Sequence, residues 1–226
     1  MLRFHRSSFY SRWLVTVPTT SLLGASVLAA MAGCSSGPSR VKPPSISASG
    51  AASEAMTMYD KDSDGFIAGP ELDAAAGLKA AMETLDLDKD GKVSEDEIVK
   101  RIESWQATGL GVMSISCRVT LDGRPLEGAK ISFEPEPFLG GNVKAGIGDT
   151  ASGGLGNVTV PKEDRPEADY PPGMQFGFFK VKISKEANGA ETVPAKYNAE
   201  SVLGQQVSTD DPQIMSQLIK FDLKSK

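Results

Sequence analysis

The sequence predicts a multidomain α+β protein, in which a small helical module precedes an antiparallel β-sandwich of about seven strands. Two acidic twelve-residue segments with helical flanks lie between residues 54 and 105. From residue 112 onward, apolar and polar residues alternate between turns rich in glycine and proline, which is typical of strands. Hydrophobic residues make up 40% of the 226 and charged residues 23%, which indicates a globular rather than a disordered chain.

The overall charge argues against one class of function. The chain has 24 basic and 29 acidic residues, which gives a formal net charge of -5. A nucleic-acid-binding protein needs a basic face that replaces the counterions around the phosphates. We therefore expect no nucleic-acid partner. The two cysteines are also too few for a disulfide-rich scaffold or a four-cysteine zinc site.

Residues 1–33 have the layout of a secretory signal peptide. Three arginines and no acidic residue precede an apolar stretch whose continuous core is too short for a good transmembrane helix. The stretch ends in Met31-Ala32-Gly33-Cys34, which resembles the lipobox of bacterial lipoproteins. The resemblance implies acylation of Cys34 and attachment to a membrane outside the cytoplasm. Ser35 replaces the aspartate that favours inner-membrane retention, so we expect the outer membrane or the cell surface. An uncleaved anchor helix is the alternative.

Removal of this segment would also remove His5, the only histidine. The mature chain would then lack an imidazole for a catalytic triad, a metal ligand or a general base. Acylation of Cys34 would leave Cys117 as the only free thiol, and its alternation with apolar neighbours predicts a core residue. We therefore expect no enzymatic activity. A carbohydrate-active enzyme with paired carboxylates is the least favoured alternative, because Glu134 and Glu136 lie in proline-rich turns that predict solvated loops.

The remaining chain divides into three segments by composition. Residues 34–53 predict a flexible linker that follows the lipidated cysteine, because serine, proline, glycine and alanine dominate there. Residues 54–105 form the acidic helical module. Residues 106–226 form the β domain, and its first residues predict a short connection.

The acidic module contains two segments of the same pattern, DKDSDGFIAGPE at 60–71 (loop 1) and DLDKDGKVSEDE at 86–97 (loop 2). Each has aspartates at positions one, three and five, glycine at six and glutamate at twelve. Both match the calcium loop of EF-hands, and the module resembles an EF-hand pair. The resemblance implies two bound calcium ions and these ligands: Asp60, Asp62, Asp64, Phe66 and Glu71 in loop 1, and Asp86, Asp88, Asp90, Lys92, Ser94 and Glu97 in loop 2.

Calcium chemistry explains why this spacing matters. The ion takes about six to eight oxygen ligands, and alternating carboxylates can wrap around one point. By the same resemblance, Phe66 and Lys92 would contribute backbone carbonyls, and Ser94 would hold a bridging water. Only fourteen residues, 72–85, separate the loops. We therefore expect short connecting helices, or one helix bent near Gly77, and a structural rather than a calcium-sensing site.

The β domain begins with residues 114–137, where two alternating segments flank Asp122-Gly123-Arg124-Pro125 and predict a hairpin. Further strands are predicted at 143–149, 155–160, 176–184 and 218–224. Three phenylalanines near the start of the 176–184 strand predict one core face and one edge aromatic: Phe176, Phe178 and Phe179.

The segments DGRPLEGA, FEPE and PPGMQFGFFKVKIS resemble transthyretin-like, carboxypeptidase-regulatory-like domains of exported bacterial proteins. The resemblance covers about residues 112–185 and implies a prealbumin-type sandwich with an accessory or adhesion-type role. The whole layout resembles exported lipoproteins of Planctomycetes-type bacteria. It implies a calcium-binding envelope lipoprotein with a structural or partner-binding role and no small-molecule substrate. A dockerin-like module that docks to an envelope protein in the presence of calcium is the alternative.

Overall fold

The computed structural model describes residues 41–167 and 169–226. Most of the helical residues lie before residue 108, and most of the strand residues lie after residue 114. The helices are α1 Ala48–Tyr59, α2 Pro70–Ala74, α3 Ala76–Ala80, α4 Met82–Leu85, α5 Glu95–Ala107 and α6 Pro212–Met215. The strands are β1 Phe66–Ile67, β2 Val93–Ser94, β3 Ile115–Leu121, β4 Arg124–Pro125, β5 Lys130–Pro135, β6 Gly146–Asp149, β7 Leu155–Val158, β8 Gly177–Ser184, β9 Glu186–Ala187, β10 Ala190–Glu191, β11 Leu203–Val207 and β12 Ile219–Leu223. The mixture of helices and largely antiparallel sheets is consistent with an α+β fold.

The predicted signal peptide, residues 1–33, and the predicted lipidation site, Cys34, lie outside the described residues. None of the helices in the described ranges is long and apolar enough to cross a membrane.

Helix α1 begins within the segment that the composition predicts as a flexible linker. The Ser47 hydroxyl caps this helix by accepting a hydrogen bond from the N–H of Gly50 at 3.2 Å. Its buried face consists of alanines: Ala51, Ala52 and Ala55. The linker prediction is therefore wrong for residues 48–53. Alanine has the highest helix propensity, and its small side chain lets a helix pack closely even where large apolar residues are few.

Three short helices connect the acidic loops instead of one helix bent at Gly77. The breaks fall at Ala75 and Ala81, and Gly77 lies inside α3. A Cβ on Gly77 would lie 2.9 Å from the backbone nitrogen of Phe179, and one on Gly204 would collide with the carbonyl of Ala76. These two glycines allow α3 to lie directly against β8 and β11.

Strands β1 and β2, one from each acidic loop, pair antiparallel with each other. Ile67 lies opposite Val93, and both side chains are fully buried. This short pairing joins the two loops into one unit.

Two four-stranded sheets make up most of the β part of the chain, which extends from β3 to β12. The first has the order β11-β8-β5-β6 and is antiparallel throughout. In the second, β3 pairs antiparallel with β4 and β7 and parallel with β12, where Ile219 lies opposite Cys117. The prediction of a wholly antiparallel sheet is therefore wrong for this pair. Strand β12 reaches β3 through a long connection that includes α6, so no tight turn fixes its direction.

Strands β3 and β5, which the sequence predicts as one hairpin, lie in different sheets. Strand β3 turns instead into the short β4 at Asp122 and Gly123, whose φ angles of 51° and 79° suit a two-residue turn. The chain then crosses to the first sheet through residues 126–129. Apolar alternation correctly indicates both strands, but it contains no information about which strand pairs with which.

Aromatic side chains contact both faces of β8. On one face Phe179 lies against Phe133, which also contacts Phe221 of the second sheet at a centroid distance of 6.2 Å. On the other face Phe178 contacts Trp105 of α5 at 4.7 Å. The prediction of an edge aromatic is wrong, because the helices cover the outer face. All three phenylalanines are buried: Phe176, Phe178 and Phe179. The helices and the sheets belong to one compact unit.

Candidate metal centre

Each acidic loop brings three carboxylates together. In loop 1 they belong to Asp60, Asp62 and Glu71, and in loop 2 to Asp86, Asp88 and Glu97. Within each group, one oxygen from each carboxylate lies within 4.8 Å of the others. These residues occupy the first, third and twelfth loop positions. The two acidic clusters could each bind a metal ion.

The first-position aspartates fold both loops in the same way. Each accepts hydrogen bonds from the backbone N–H groups of the fifth and sixth residues. The donors are Asp64 at 3.2 Å and Gly65 at 3.1 Å for Asp60, and Asp90 at 3.2 Å and Gly91 at 2.9 Å for Asp86. Gly65 and Gly91 have φ angles of 89° and 80°, a region that glycine adopts freely, so the sharp bend needs glycine at this position.

The twelfth-position glutamates close the loops by a second matched set of bonds. Each accepts hydrogen bonds from the N–H groups of the second and ninth residues. The donors are Lys61 at 2.7 Å and Ala68 at 3.0 Å for Glu71, and Leu87 at 2.8 Å and Ser94 at 2.9 Å for Glu97. The bond from Ala68, followed by that from Lys61, lowers the pKa of Glu71 below its usual value. The carboxylate of Glu71 therefore remains ionised and can offer its oxygens to a metal ion.

The fifth-position aspartates, predicted as ligands, lie outside the two triads. Asp64 and Asp90 accept hydrogen bonds from the N–H groups of Phe66 at 2.9 Å and Lys92 at 2.8 Å. The ligand roles of these two aspartates, and of the carbonyls of Phe66 and Lys92, stay predictions. Lys92 also forms a contact between the loops that the sequence does not predict, with its Nζ 3.6 Å from Asp64 and 4.6 Å from the ring centroid of Phe66.

Ser94 acts as the N-cap of α5. Its hydroxyl accepts a hydrogen bond from the N–H of Glu97 at 3.4 Å and donates one to the Glu97 carboxylate at 2.8 Å. The Glu97 carboxylate in turn accepts from the N–H of Ser94, which completes a capping box. The cap fixes the orientation of Glu97. The predicted water-mediated role of Ser94 stays a prediction.

The donor set favours hard cations. The triads consist of carboxylates, and the hydroxyl of Ser94 lies 2.8 Å from the carboxylate of Glu97. Oxygen donors suit calcium and magnesium, whereas soft metals prefer thiolates.

Glu136, which the proline-rich pattern predicts to lie in a solvated turn, is a buried residue beside loop 1. Its side chain is 3% exposed. One carboxylate oxygen accepts a hydrogen bond from the hydroxyl of Tyr59 at 2.6 Å, and the other accepts one from the N–H of Gly77 at 2.7 Å. Burial, followed by this bond to Glu136, raises the pKa of Tyr59, so its hydroxyl remains a donor. Glu134, in contrast, is partly exposed and pairs with Lys182 at 2.6 Å.

Arg101 plays a comparable part beside loop 2, one helical turn after Glu97. Its guanidinium donates to both carboxylate oxygens of Asp210 at 2.7 Å, to Gln206 at 2.8 Å and to Ser208 at 3.0 Å. Gln206 is fully buried and donates in turn to the hydroxyl of Thr84 at 2.9 Å. No local pattern could reveal these contacts, because the partners lie more than a hundred residues apart in sequence.

The pair of Arg101 and Asp210 should make stability depend on acid pH. Hydrogen bonds from Arg101 lower the pKa of Asp210 from 3.8 to about 2. A carboxyl with a lowered folded-state pKa adds stability above its unfolded-state value, and this stability is lost as the pH falls through the folded-state pKa. We expect the wild-type Tm to exceed that of Asp210→Asn near neutral pH, and the two Tm curves to converge between about pH 4 and pH 2.

Thermal unfolding followed by circular dichroism in calcium-free buffer measures both curves. The remaining carboxyls are common to the two chains, so the difference isolates Asp210. A constant difference in Tm across the range would contradict the prediction.

We compared the chain with protein-family models and with curated proteins. No protein-family model and no curated protein matches this chain. The interpretation of the site therefore depends on its own geometry and chemistry.

Proposed function

We propose that the helical part of the chain, from α1 to α5, is an EF-hand pair that binds two calcium ions. The observation that carries the proposal is the matched set of hydrogen bonds in the two loops. The same loop positions donate and accept in each, and the triads occupy the same positions. Two unrelated acidic loops would not be expected to share the same hydrogen bonds at the same loop positions. The pairing of β1 with β2 supports a paired module.

Calcium would neutralise the crowded carboxylates of each triad. Asp60, Asp62 and Glu71 would hold one ion, and the corresponding residues of loop 2 the other: Asp86, Asp88 and Glu97. Calcium suits these sites better than magnesium, because magnesium prefers compact octahedral sites that retain several waters. An ion that binds the folded loops and not the unfolded chain stabilises the fold.

We further propose that the β part is a transthyretin-like sandwich with a non-catalytic role, and that Cys34 anchors the chain to a membrane outside the cytoplasm. The contact of Phe133 with Phe221 between the two sheets supports the sandwich. Burial raises the pKa of Cys117 to about 12, which supports a structural rather than a nucleophilic thiol.

A structural role fits better than dockerin-like docking. Docking of that kind needs an exposed helical face, whereas the apolar face of α5 is buried: Ile98, Ile102 and Trp105. Trp105 lies against Phe178 of the first sheet, so the surface that a partner would need is already occupied within the chain.

Calorimetric titration of the purified protein with calcium chloride tests the calcium proposal. We expect two bound ions per chain and weaker competition by magnesium. The Trp13→Phe chain leaves Trp105 as the only tryptophan, so its fluorescence reports on the junction between α5 and β8. Absence of binding at millimolar calcium would reject the proposal, since even weak extracellular calcium sites bind at about 10⁻⁴ to 10⁻³ M.

A further inference from the structure

Two buried polar side chains of the β part each contact both flanks of one acidic loop. Glu136 accepts hydrogen bonds from Tyr59, directly before Asp60, and from Gly77 of α3, six residues after Glu71. Helix α3 follows the short α2, which carries Glu71, after a break at Ala75, so the bond to Gly77 acts on loop 1 through α2. We call this set of bonds the Glu136 clamp.

The second set of bonds, which we call the Gln206 clamp, joins the segments before and after loop 2. Gln206 donates to Thr84, two residues before Asp86, and accepts from Arg101, four residues after Glu97. Ser208 and Asp210 hold the remaining donors of Arg101.

We propose that Glu136 and Gln206 are positioning residues that set the calcium affinity of loop 1 and loop 2, respectively. The inference rests on the proposed calcium-binding function. It adds that residues outside the loops, in the β part of the chain, determine how tightly each loop binds.

The argument starts from where the ligands lie. The first-position aspartate follows the helix before the loop, and the twelfth-position glutamate lies at the start of the helix after it. An ion binds both only when the two flanking helices are correctly spaced. A group that holds both flanks therefore reduces the ordering that binding would otherwise require, which increases affinity by preorganisation.

The clamps are suited to this role by their burial. Glu136 and Gln206 are almost completely buried. In the protein interior the effective dielectric constant is low, so hydrogen bonds are stronger than in water and an unpaired polar group is costly. The hydroxyl of Tyr59 donates to a carboxyl oxygen of Glu136 at 2.6 Å. The side-chain amide of Gln206 donates to the hydroxyl of Thr84 at the longer distance of 2.9 Å. We therefore expect the larger effect at loop 1.

Two matched substitutions test the inference, Tyr59→Phe and Thr84→Val. Each removes one hydroxyl from a residue one or two positions before a loop, and neither residue is a proposed ligand. Tyr59→Phe retains the ring that lies 6.3 Å from that of Phe138. Each substitution is introduced into full-length chains that carry Glu97→Gln or Glu71→Gln, so that calcium titration reports on loop 1 or loop 2 alone.

We expect Tyr59→Phe to weaken calcium binding at loop 1 by about 3- to 10-fold and to leave loop 2 within about 2-fold. Thr84→Val should do the reverse, with a loss of about 2- to 5-fold at loop 2. In addition, Glu136→Gln should retain part of the loop 1 affinity that Glu136→Ala loses, because its amide retains an acceptor for Gly77.

Loop selectivity separates positioning from general stabilisation. A lower Tm with unchanged affinities at both loops would overturn the inference, and so would an equal loss at both loops. A parent chain that binds no calcium would instead reject the proposed function itself. Two bound ions in the parent chain, together with no selective loss in either variant, would reject the clamps alone.

Discussion

Replacement of Glu71 and Glu97 by glutamine should weaken calcium binding by about 100-fold or more, because ligand charge is a main determinant of affinity in such loops. Each substitution removes one negative charge and one of the two equivalent oxygens that the twelfth position offers. Each single variant should lose one ion and retain the other. Calorimetry with calcium chloride measures both the affinity and the number of ions.

Thermal stability gives an independent measurement of the same change. In calcium-free buffer the Tm should fall only slightly, because the glutamine loses one of the two oxygens that accept backbone N–H groups at each loop, and this loss is partly offset by the removal of one negative charge from each triad. In millimolar calcium, however, the variant should lose the increase in Tm that binding gives the parent chain. Glu103→Gln is the matched control, since Glu103 is exposed on α5 outside the loop. Unchanged affinity in the double variant would contradict the assignment of both sites.

The acidic loops could be predicted from the sequence because their chemistry is local. The hydrogen bonds that shape each loop join residues no more than ten positions apart. Spacing alone therefore brings Asp60, Asp62 and Glu71 together, as it does the equivalent residues of loop 2. The clamps show the opposite case, because Glu136 lies 77 positions from Tyr59 and Gln206 lies 122 from Thr84. No periodicity in one chain relates residues at such distances.

The sequence pattern does not predict strand β11, for a related reason. Gln205 and Gln206 are buried polar residues, and they interrupt the apolar alternation that identifies the other strands. Gln206 is buried because it contacts the helical part, so its position in a strand makes sense only after the helices are placed. The outer face of β8 is similar. From the sequence of its strand alone, Phe178 is predicted to be an edge aromatic, and only the contact with Trp105 of α5 explains why it is buried.

Trp105→Ala should destabilise the described unit as a whole, by about 3–5 kcal/mol. Trp105 is 3% exposed, and its ring lies 4.7 Å from that of Phe178 and beneath the guanidinium of Arg101. Its indole Nε1 makes no hydrogen bond with the described residues. The expected loss is therefore one of packing, and Trp105→Phe should cost less because it leaves a smaller cavity.

Two probes in one denaturant titration test whether the helical and β parts lose structure together. Far-ultraviolet circular dichroism reports on the helices. The reactivity of Cys117, buried in β3 and the only thiol in a Cys34→Ser chain, reports on the sheets. We expect both signals to shift to lower denaturant by the same amount in Trp105→Ala, because Trp105 belongs to both parts of the core. Val202→Ala, at a side chain that is 60% exposed, should change neither midpoint appreciably. A loss of helix with Cys117 still protected would mean that the sheets fold without the helices, and that the contact of Trp105 with Phe178 does not couple them.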